Sequence, residues 1–231
     1  MQPGAPLEVD TLVEIRMEPS PTPAGFAFVQ TRVRGVEPEV LLGERERAVF
    51  DELKKWPLRR SEWLAGRCVG KALLSRALGL EAGRVEILPK DSGAPALFVD
   101  GLERTDLVLN LTHTNAYAAA AVAPEPIGVD LCDLVDGRRL ERIGRRVFSE
   151  GEVEACGAHR STATQASVWA IKEAVLKLRI GGVFDPGARS VRVVSLEPPT
   201  VADGTRVVLY RLPEAMLAMA TEGQGRRPRL R

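Results

Sequence analysis

The sequence predicts an α+β protein built from two similar halves. A long helical pattern occurs once in each half, at 61–78 and again at 163–178, and several short strand-like runs accompany each helix. The pattern starts again after Pro124 and Pro126, which marks the boundary between the halves. The expected parts are an N-terminal half at 1–123, a C-terminal half at 124–222 and a basic, disordered tail at 223–231.

Composition excludes several classes of protein. Of the 231 residues, 45% are hydrophobic and 27% are charged, as in ordinary folded proteins, and no apolar run is long enough for a transmembrane helix. The net charge of +1 argues against a general nucleic-acid binder. Cys68, Cys132 and Cys156 lie far apart without disulfide or metal-ligand spacing, and the N-terminus lacks a signal-peptide pattern. We therefore expect a cytoplasmic protein that binds neither nucleic acid nor membranes.

The first half is predicted to contain two helices set among short strands. A proline-rich interval at 19–23 separates the first two strand-like runs, and Ser61 is the expected N-cap of the second helix. The predicted elements are strands at 12–17 and 26–34, helices at 41–56 and 61–78, and strands at 85–88, 96–99, 106–111 and 117–122.

The second half is predicted to repeat this arrangement, although no sequence repeat demonstrates a duplication. Ser149 and Glu152 have the spacing of a capping box at the start of a short helix. The predicted elements are a strand at 127–131, helices at 138–147, from 149 and at 163–178, strands at 191–196 and 207–212, and a small-residue stretch at 215–220.

The long helix of the second half carries an acid and a base on one face. Glu173 and Lys177 lie four residues apart, beside an apolar stripe formed by Val168, Ile171 and Val175. Helical geometry therefore sets a carboxylate next to an ammonium group at the edge of the core. The alternative is an ordinary surface ion pair that contributes about 0.3–0.5 kcal/mol.

Asp130 interrupts an apolar strand two residues after Gly128. Aspartate is disfavoured in strands, and a buried carboxylate is costly unless a cation meets it. The alternative is an aspartate that caps the next turn. Acids from a strand and a helix, here Asp130 and Glu173, are typical Mg²⁺ ligands, because waters and substrate phosphates complete the coordination. With Lys177 nearby, the set indicates phosphoryl-type transfer.

Several ordered elements resemble those of the 4'-phosphopantetheinyl transferase superfamily. The two signature motifs are represented by Gly128-Val129-Asp130 and by Trp169-Ala170-Ile171-Lys172-Glu173-Ala174-Val175-Leu176-Lys177, in the family's order and spacing. Further similar elements are Trp63-Leu64-Ala65-Gly66-Arg67, Gly93-Ala94-Pro95, Asn110-Leu111-Thr112-His113-Thr114 and Arg146-Val147-Phe148-Ser149 with Glu152. The resemblance spans about residues 41–180 and is to the larger, surfactin-synthetase-activator-like type.

The resemblance implies a fold and an activity. Two α/β halves would be related by a pseudo-twofold, with coenzyme A (CoA) between them and the chain acting as a monomer. The enzyme would move the 4'-phosphopantetheine group of CoA to a serine of an apo acyl or peptidyl carrier, giving holo carrier and 3',5'-ADP. Mg²⁺ would be the metal, with Mn²⁺ as a substitute. The carrier would belong to a polyketide, nonribosomal peptide or fatty acid synthase.

The resemblance also implies roles for individual residues. Asp130 and Glu173 would hold the metal, Glu173 would act as base for the serine hydroxyl, and Lys177 would neutralise the pyrophosphate. These three residues form the expected catalytic set. The expected CoA-binding residues are Arg60, Arg67, Lys71, Pro95, Thr112, His113, Lys172 and Lys177.

Two positions depart from the family pattern. Ala94 stands where the family has a cation, and Cys132 stands where many members have a third metal-binding glutamate. The departures leave open two alternatives: a non-catalytic carrier-binding or scaffold protein of the same fold, and a Mg²⁺-dependent phosphotransfer without a carrier. Against the scaffold alternative, Asp130, Glu173 and Lys177 are all present.

Overall fold

A computed structural model describes residues 15–16, 25–30, 36–135, 137–157, 161–180 and 186–222. These residues form helices and antiparallel strands, which confirms the α+β class. The chain divides into two compact units, residues 1–90 with 95–124 and residues 91–94 with 125–231. None of the described helices is long and apolar enough to cross a membrane.

The first unit is a helix packed on an antiparallel sheet. Its main sheet has the strand order β1-β2-β7-β6, a second sheet has the order β3-β4-β5, and α3 packs against the main sheet. The bounds are β1 Ile15–Arg16, β2 Gly25–Gln30, α1 Pro38–Leu41, α2 Glu44–Glu52, α3 Pro57–Leu78, β3 Val85–Pro89, β4 Pro95–Val99, β5 Leu102–Glu103, β6 Val108–His113 and β7 Tyr117–Ala123.

The second unit has the same plan. Its main sheet has the order β11-β12-β8, β9 and β10 form a separate hairpin, and α6 packs against β8 and β12. The bounds are β8 Ile127–Asp133, α4 Gly137–Val147, α5 Glu150–Cys156, α6 Thr162–Ile180, β9 Val193–Leu196, β10 Pro199–Val201, β11 Arg206–Arg211 and β12 Ala215–Thr221.

The order of elements along the chain makes the two halves similar. In each unit a strand is followed by short helices, a long helix, a short hairpin and a final hairpin that completes the main sheet. The strands β2-β7-β6 of the first unit therefore correspond to β8-β12-β11 of the second, with antiparallel pairing throughout. The similarity of the halves, which no sequence repeat revealed, is evident in this topology.

Small side chains on the central strands let each long helix approach its sheet. In β7, Ala118 and Ala120 join the apolar cluster that contains Val69 and Leu73 of α3. In β12, Ala218 and Ala220 join the cluster that contains much of α6. Alternate residues of a strand face the same side, so these alanines share the helix-facing side of each sheet.

Gly128 is the point of closest approach between α6 and its sheet. A Cβ atom added at this position would lie 1.9 Å from the carbonyl oxygen of Ala174 and 2.6 Å from the backbone nitrogen of Leu178. Backbone atoms of a packed helix have little freedom to retreat, so only glycine fits. This contact sets the distance of α6 from β8.

The structure differs from the sequence predictions at several boundaries. The predicted helix at 41–56 is wrong as a single element, because the chain is extended at Leu42 and at Gly43, which is the N-cap of a new helix. Ser61 is not an N-cap, since α3 begins with Pro57, and proline is favoured in the first turn. The strand β10 was missed. Of the predicted elements, residues 12–14, 17, 31–34 and the tail at 223–231 lie outside the described residues.

Substituting Gly128 tests the close helix–sheet contact. Gly128→Ala should lower the free energy of unfolding by at least about 2 kcal/mol, because the new methyl group meets backbone rather than a movable side chain. Gly151→Ala is the matched control, since a Cβ there meets no atom within 4 Å. In the control, the free energy of unfolding should be unchanged or should rise by up to about 1 kcal/mol. Urea denaturation measures the stability of both variants. Equal stability of Gly128→Ala and Gly151→Ala would contradict the close contact at Gly128.

Candidate functional site

Asp130 stands on β8 on the same side as Gly128, facing α6. Its side chain is 9% exposed, and burial of a carboxylate is costly without a cationic partner. The ammonium group of Lys177 supplies that partner, with its Nζ 2.8 Å from Asp130 Oδ1. The same ammonium group donates to the carbonyl oxygen of Val129 at 3.2 Å. The prediction that a cation meets Asp130 is therefore confirmed by this contact.

Glu173 lies one helical turn before Lys177 and completes a set of three charged groups. Burial and, second to it, the negative charge of Asp130 raise the pKa of its carboxyl to about 7, while Lys177 opposes the shift. Electrostatic coupling of this kind requires the two carboxylates to lie close to each other. A carboxyl group with a pKa near neutrality can exchange a proton at physiological pH.

The candidate metal ligands are the two carboxylates of Asp130 and Glu173. Cys132, two residues after Asp130 on the same strand face, is 7% exposed and packs in the hydrophobic cluster of the second unit. Asp133 belongs to the opposite face by strand alternation. Within the described residues there is no group of three or more His, Cys, Asp or Glu side chains that could hold a metal. Waters and phosphate oxygens would have to complete the coordination of a hard cation such as Mg²⁺.

Two arginines of the first unit stack on aromatic rings. The guanidinium carbon of Arg67 lies 3.8 Å from the centre of the Trp63 ring, and that of Arg60 lies 3.9 Å from the centre of the Phe50 ring. The two rings are 5.8 Å apart. Arg67 also donates from Nε to the carbonyl oxygen of Ile87 at 3.3 Å, and burial lowers its pKa to about 10, with Glu46 opposing. Stacking of this kind holds a guanidinium group in one orientation.

Lys71 and Lys172, both predicted to bind CoA, are instead enclosed in the interior. Each side chain is 0% exposed. Lys71 Nζ lies 2.6 Å from Glu46 Oε2, and Lys172 Nζ lies 2.7 Å from Glu152 Oε1. Burial lowers the pKa of both ammonium groups, and the glutamates oppose the shift. The predicted contact with CoA is therefore not supported for either lysine, because neither side chain has accessible surface in the structure.

The remaining predicted residues of the first unit lie on strands β4 and β6. His113 is the last residue of β6, and its half-exposed ring lies 3.3 Å from Glu62, measured between Nε2 and Oε2. Thr112 beside it is buried, and Pro95 begins β4 half-buried.

Of all the predicted site residues, Asp130, Glu173 and Lys177 are the ones that the structure brings into one cluster, and this cluster lies within the second unit.

Sequence reasoning missed the two glutamates that partner the buried lysines. Glu152 was recognised as a capping-box residue, and its carboxylate does accept from the backbone nitrogen of Ser149 at 2.7 Å. Its ion pair with Lys172 went unrecognised, as did that of Glu46 with Lys71. For Lys172 the available signal was its place between Val168 and Val175, apolar residues one helical turn before and after it.

Comparison with known proteins identifies a matching family and related chains. Residues 126–210 match the model of the 4'-phosphopantetheinyl transferase superfamily. The chain is 30% identical over 186 residues to the 4'-phosphopantetheinyl transferase AcpT of Salmonella typhi, covering 75% of this chain and 86% of that protein. It is 28% identical over 181 residues to the 4'-phosphopantetheinyl transferase HetI of Nostoc sp., covering 75% and 76% respectively.

A solved structure matches part of the chain. It is a holo-(acyl-carrier-protein) synthase of Bacillus anthracis in complex with CoA (3',5'-ADP). The sequence identity is 26%, the TM-score is 0.37, and the match covers 44% of this chain and 93% of that one.

Removing the charge of Glu173 should stabilise the metal-free protein. Between the ordinary pKa of 4.5 and the folded value of about 7, the folded chain binds one more proton than the unfolded chain. Stability therefore falls as pH rises through this window. In a chelating buffer near pH 8, Glu173→Gln should unfold with a free energy about 1–3 kcal/mol above that of the wild type.

The advantage of Glu173→Gln should disappear near pH 4, where the wild-type carboxyl is protonated in both states. Glu150→Gln, at an exposed position of α5, is the control and should show no comparable pH dependence. Urea unfolding across this pH range makes the comparison. A Glu173→Gln variant that is less stable than the wild type at pH 8 would contradict the claim that burial and the charge of Asp130 disfavour ionisation of Glu173.

Proposed function

The chain belongs to the 4'-phosphopantetheinyl transferase superfamily, and we propose that it transfers the 4'-phosphopantetheine group of CoA to a serine of an apo carrier protein. The products are holo carrier and 3',5'-ADP. The observation that carries the proposal is the cluster of Asp130, Glu173 and Lys177, with the Asp130–Lys177 contact at 2.8 Å. Family membership gives the reaction, and this cluster supplies the charged groups that the reaction needs.

The two carboxylates fit a Mg²⁺ ion. Asp130 and Glu173 present hard oxygen donors from a strand and a helix, and the charge of Asp130 disfavours ionisation of Glu173, a repulsion that a divalent cation would relieve. We therefore assign Asp130 and Glu173 as the metal-holding residues, with Mn²⁺ as an alternative occupant. When bound, the ion neutralises phosphate charge and orients the CoA pyrophosphate.

The residues of the chain carry the proton and charge transfers. The serine oxygen of the carrier attacks the phosphorus that bears the pantetheine arm, and the bond from that phosphorus to 3',5'-ADP breaks. Glu173 accepts the serine proton, directly or through a water molecule. Lys177 neutralises negative charge that accumulates on the departing pyrophosphate oxygen. Both residues stand on one helix, so their separation is fixed by the helix backbone.

The first unit supplies the proposed nucleotide-binding residues. Arg67 and Arg60 hold guanidinium groups against aromatic rings, which reduces the ordering cost of binding a phosphate. Thr112 and His113 are assigned to the nucleotide phosphates and Pro95 to packing on the adenine. Lys71 and Lys172 are not included, because both side chains are fully buried.

The carrier and cellular setting belong to the same proposal. Carrier proteins present acidic helices, and α4 offers exposed arginines that complement them, including Arg138, Arg142 and Arg146. We propose that the protein acts as a monomer in the cytoplasm, on a carrier of a polyketide, nonribosomal peptide or fatty acid synthase.

A scaffold function without turnover is the second candidate. Ala94 lacks the family's cation, and the core position of Cys132 leaves no third carboxylate on that strand face. A scaffold would still bind CoA or carrier and would leave the carrier mass unchanged.

Transfer should depend on the two carboxylates. Incubation with CoA, Mg²⁺ and several apo carriers should raise the mass of at least one carrier by one phosphopantetheine group. Asp130→Asn and Glu173→Gln should each lower kcat by about a hundredfold or more, because each removes a charged group that the reaction uses. Glu150→Gln should retain wild-type rates, since its carboxylate is exposed on α5 and outside the cluster.

The two variants also test metal binding without turnover. Mg²⁺ should raise the thermal midpoint of the wild type, and both variants should need higher Mg²⁺ concentrations for the same rise. Wild-type binding of CoA without any change in carrier mass would favour the scaffold. Full activity of both variants would contradict the proposal that Asp130 and Glu173 hold the metal.

A further inference from the structure

We propose that the buried pair of Glu152 and Lys172 positions the reactive face of α6. In this role Lys172 is a positioning residue that acts through the helix and does not contact CoA. The pair fixes the rotation of α6 about its axis and so sets where Glu173 and Lys177 stand relative to Asp130. The inference deepens the proposed function and rests on it for the identity of the reaction.

The contacts of Lys172 leave its ammonium group no donor for a ligand. One donor meets Glu152 Oε1 at 2.7 Å, a second meets the carbonyl oxygen of Ala188 at 3.0 Å, and the third meets that of Val191. An ammonium group has three donors, so this set is complete. The side chain is also 0% exposed. A complete set of buried contacts holds a side chain in one conformation.

Glu152 connects α6 to two other elements. Its Oε1 accepts from the backbone nitrogen of Val193 on β9 at 2.8 Å, and its Oε2 accepts from the backbone nitrogen of Ser149 at 2.7 Å. The carboxylate therefore ties the long helix to the start of α5 and to the first strand of the following hairpin. Because all these contacts are directional hydrogen bonds, they resist rotation of α6.

The first unit contains the same arrangement. Glu46 occupies the equivalent capping-box position of α2, pairs with Lys71 of α3, and accepts from the backbone nitrogen of Ile87 on β3 at 2.8 Å. Glutamate and strand amide are 41 residues apart in both units. The residue after Lys71 is Ala72, and the position corresponding to Lys177 is Arg76, so the first unit has no acid after its lysine. The pair is therefore a feature of the fold that does not require a metal-binding acid beside it.

Geometry makes the rotation of α6 important. Lys172 and Ala174 are two residues apart, about 200° around the helix, so the ion pair and the Gly128 contact hold opposite sides of α6. Glu173 lies between them. A rotation of about 10° moves a side-chain tip by about 1 Å, given a helix radius of about 5–6 Å with side chains. A displacement of about 1 Å can cost about a hundredfold in rate.

Lysine modification of the wild-type protein tests the burial of Lys172 without any turnover. Acetylation with an amine-reactive ester, read by peptide mass spectrometry, should leave Lys172 and Lys71 unmodified with or without CoA. Lys54 and Lys90 are 62% and 50% exposed and should react. Modification of Lys172 in the free protein, with protection by CoA, would overturn the proposal and restore a ligand-binding role.

A kinetic comparison tests the positioning role itself. Lys172→Met should lower kcat by about a hundredfold while KM for CoA changes by less than about threefold. It should also raise the Mg²⁺ concentration needed for thermal stabilisation, because Glu173 is displaced. Lys71→Met, the same change in the first unit, should leave that Mg²⁺ response unchanged. A raised KM for CoA with an unchanged kcat would overturn the proposal.

The proposal stays testable if Lys172→Met does not fold. Lys172→Arg keeps the charge but changes the length and shape of the group, and it should also lower kcat with little effect on KM for CoA. Equal kcat in Lys172→Arg and wild type would count against positioning. Failure of the proposed function would show as absent transfer by the wild type, whereas the lysine modification pattern would be unaffected.

Discussion

The contact between the backbone of α6 and Gly128 of β8 is the constraint on which the site depends. Because position 128 carries no side chain, the helix comes close enough for residues on its edge to reach the strand. Asp130, two residues further along the same strand face, then meets Lys177 at 2.8 Å. A larger residue at 128 would move the helix away from the strand and increase the distance between Asp130 and Lys177.

The charged cluster shows how packing creates chemistry from ordinary residues. A glutamate and a lysine four residues apart on an exposed helix form a weak pair. Here burial and the nearby Asp130 carboxylate raise the pKa of Glu173 to about 7. The proton affinity of this group therefore comes from the tertiary contact between α6 and β8, not from the helix alone.

Sequence patterns predicted the elements of the site better than their surroundings. The helix at 163–178 was predicted because its apolar pattern is long and regular, and the strand at 127–131 because a short apolar run follows Pro126. The elements α6 and β8 cover both ranges. The break at Leu42 and Gly43 was missed, because one local cap overrides a continuing helical pattern. The burial of Lys71 and Lys172 was missed as well. Lysine is normally solvated, and each glutamate partner lies on a different helix.

The position of a bound metal tests the proposed site most directly. Crystals grown with CoA and Mn²⁺, with data collected at the manganese absorption edge, would locate the ion by its anomalous scattering. If Asp130 and Glu173 hold the metal, as we propose, an anomalous peak lies within coordination distance of both carboxylates. A peak that contacts neither residue, in a crystal with CoA bound, would contradict the claim that the approach of α6 to β8 builds the metal site.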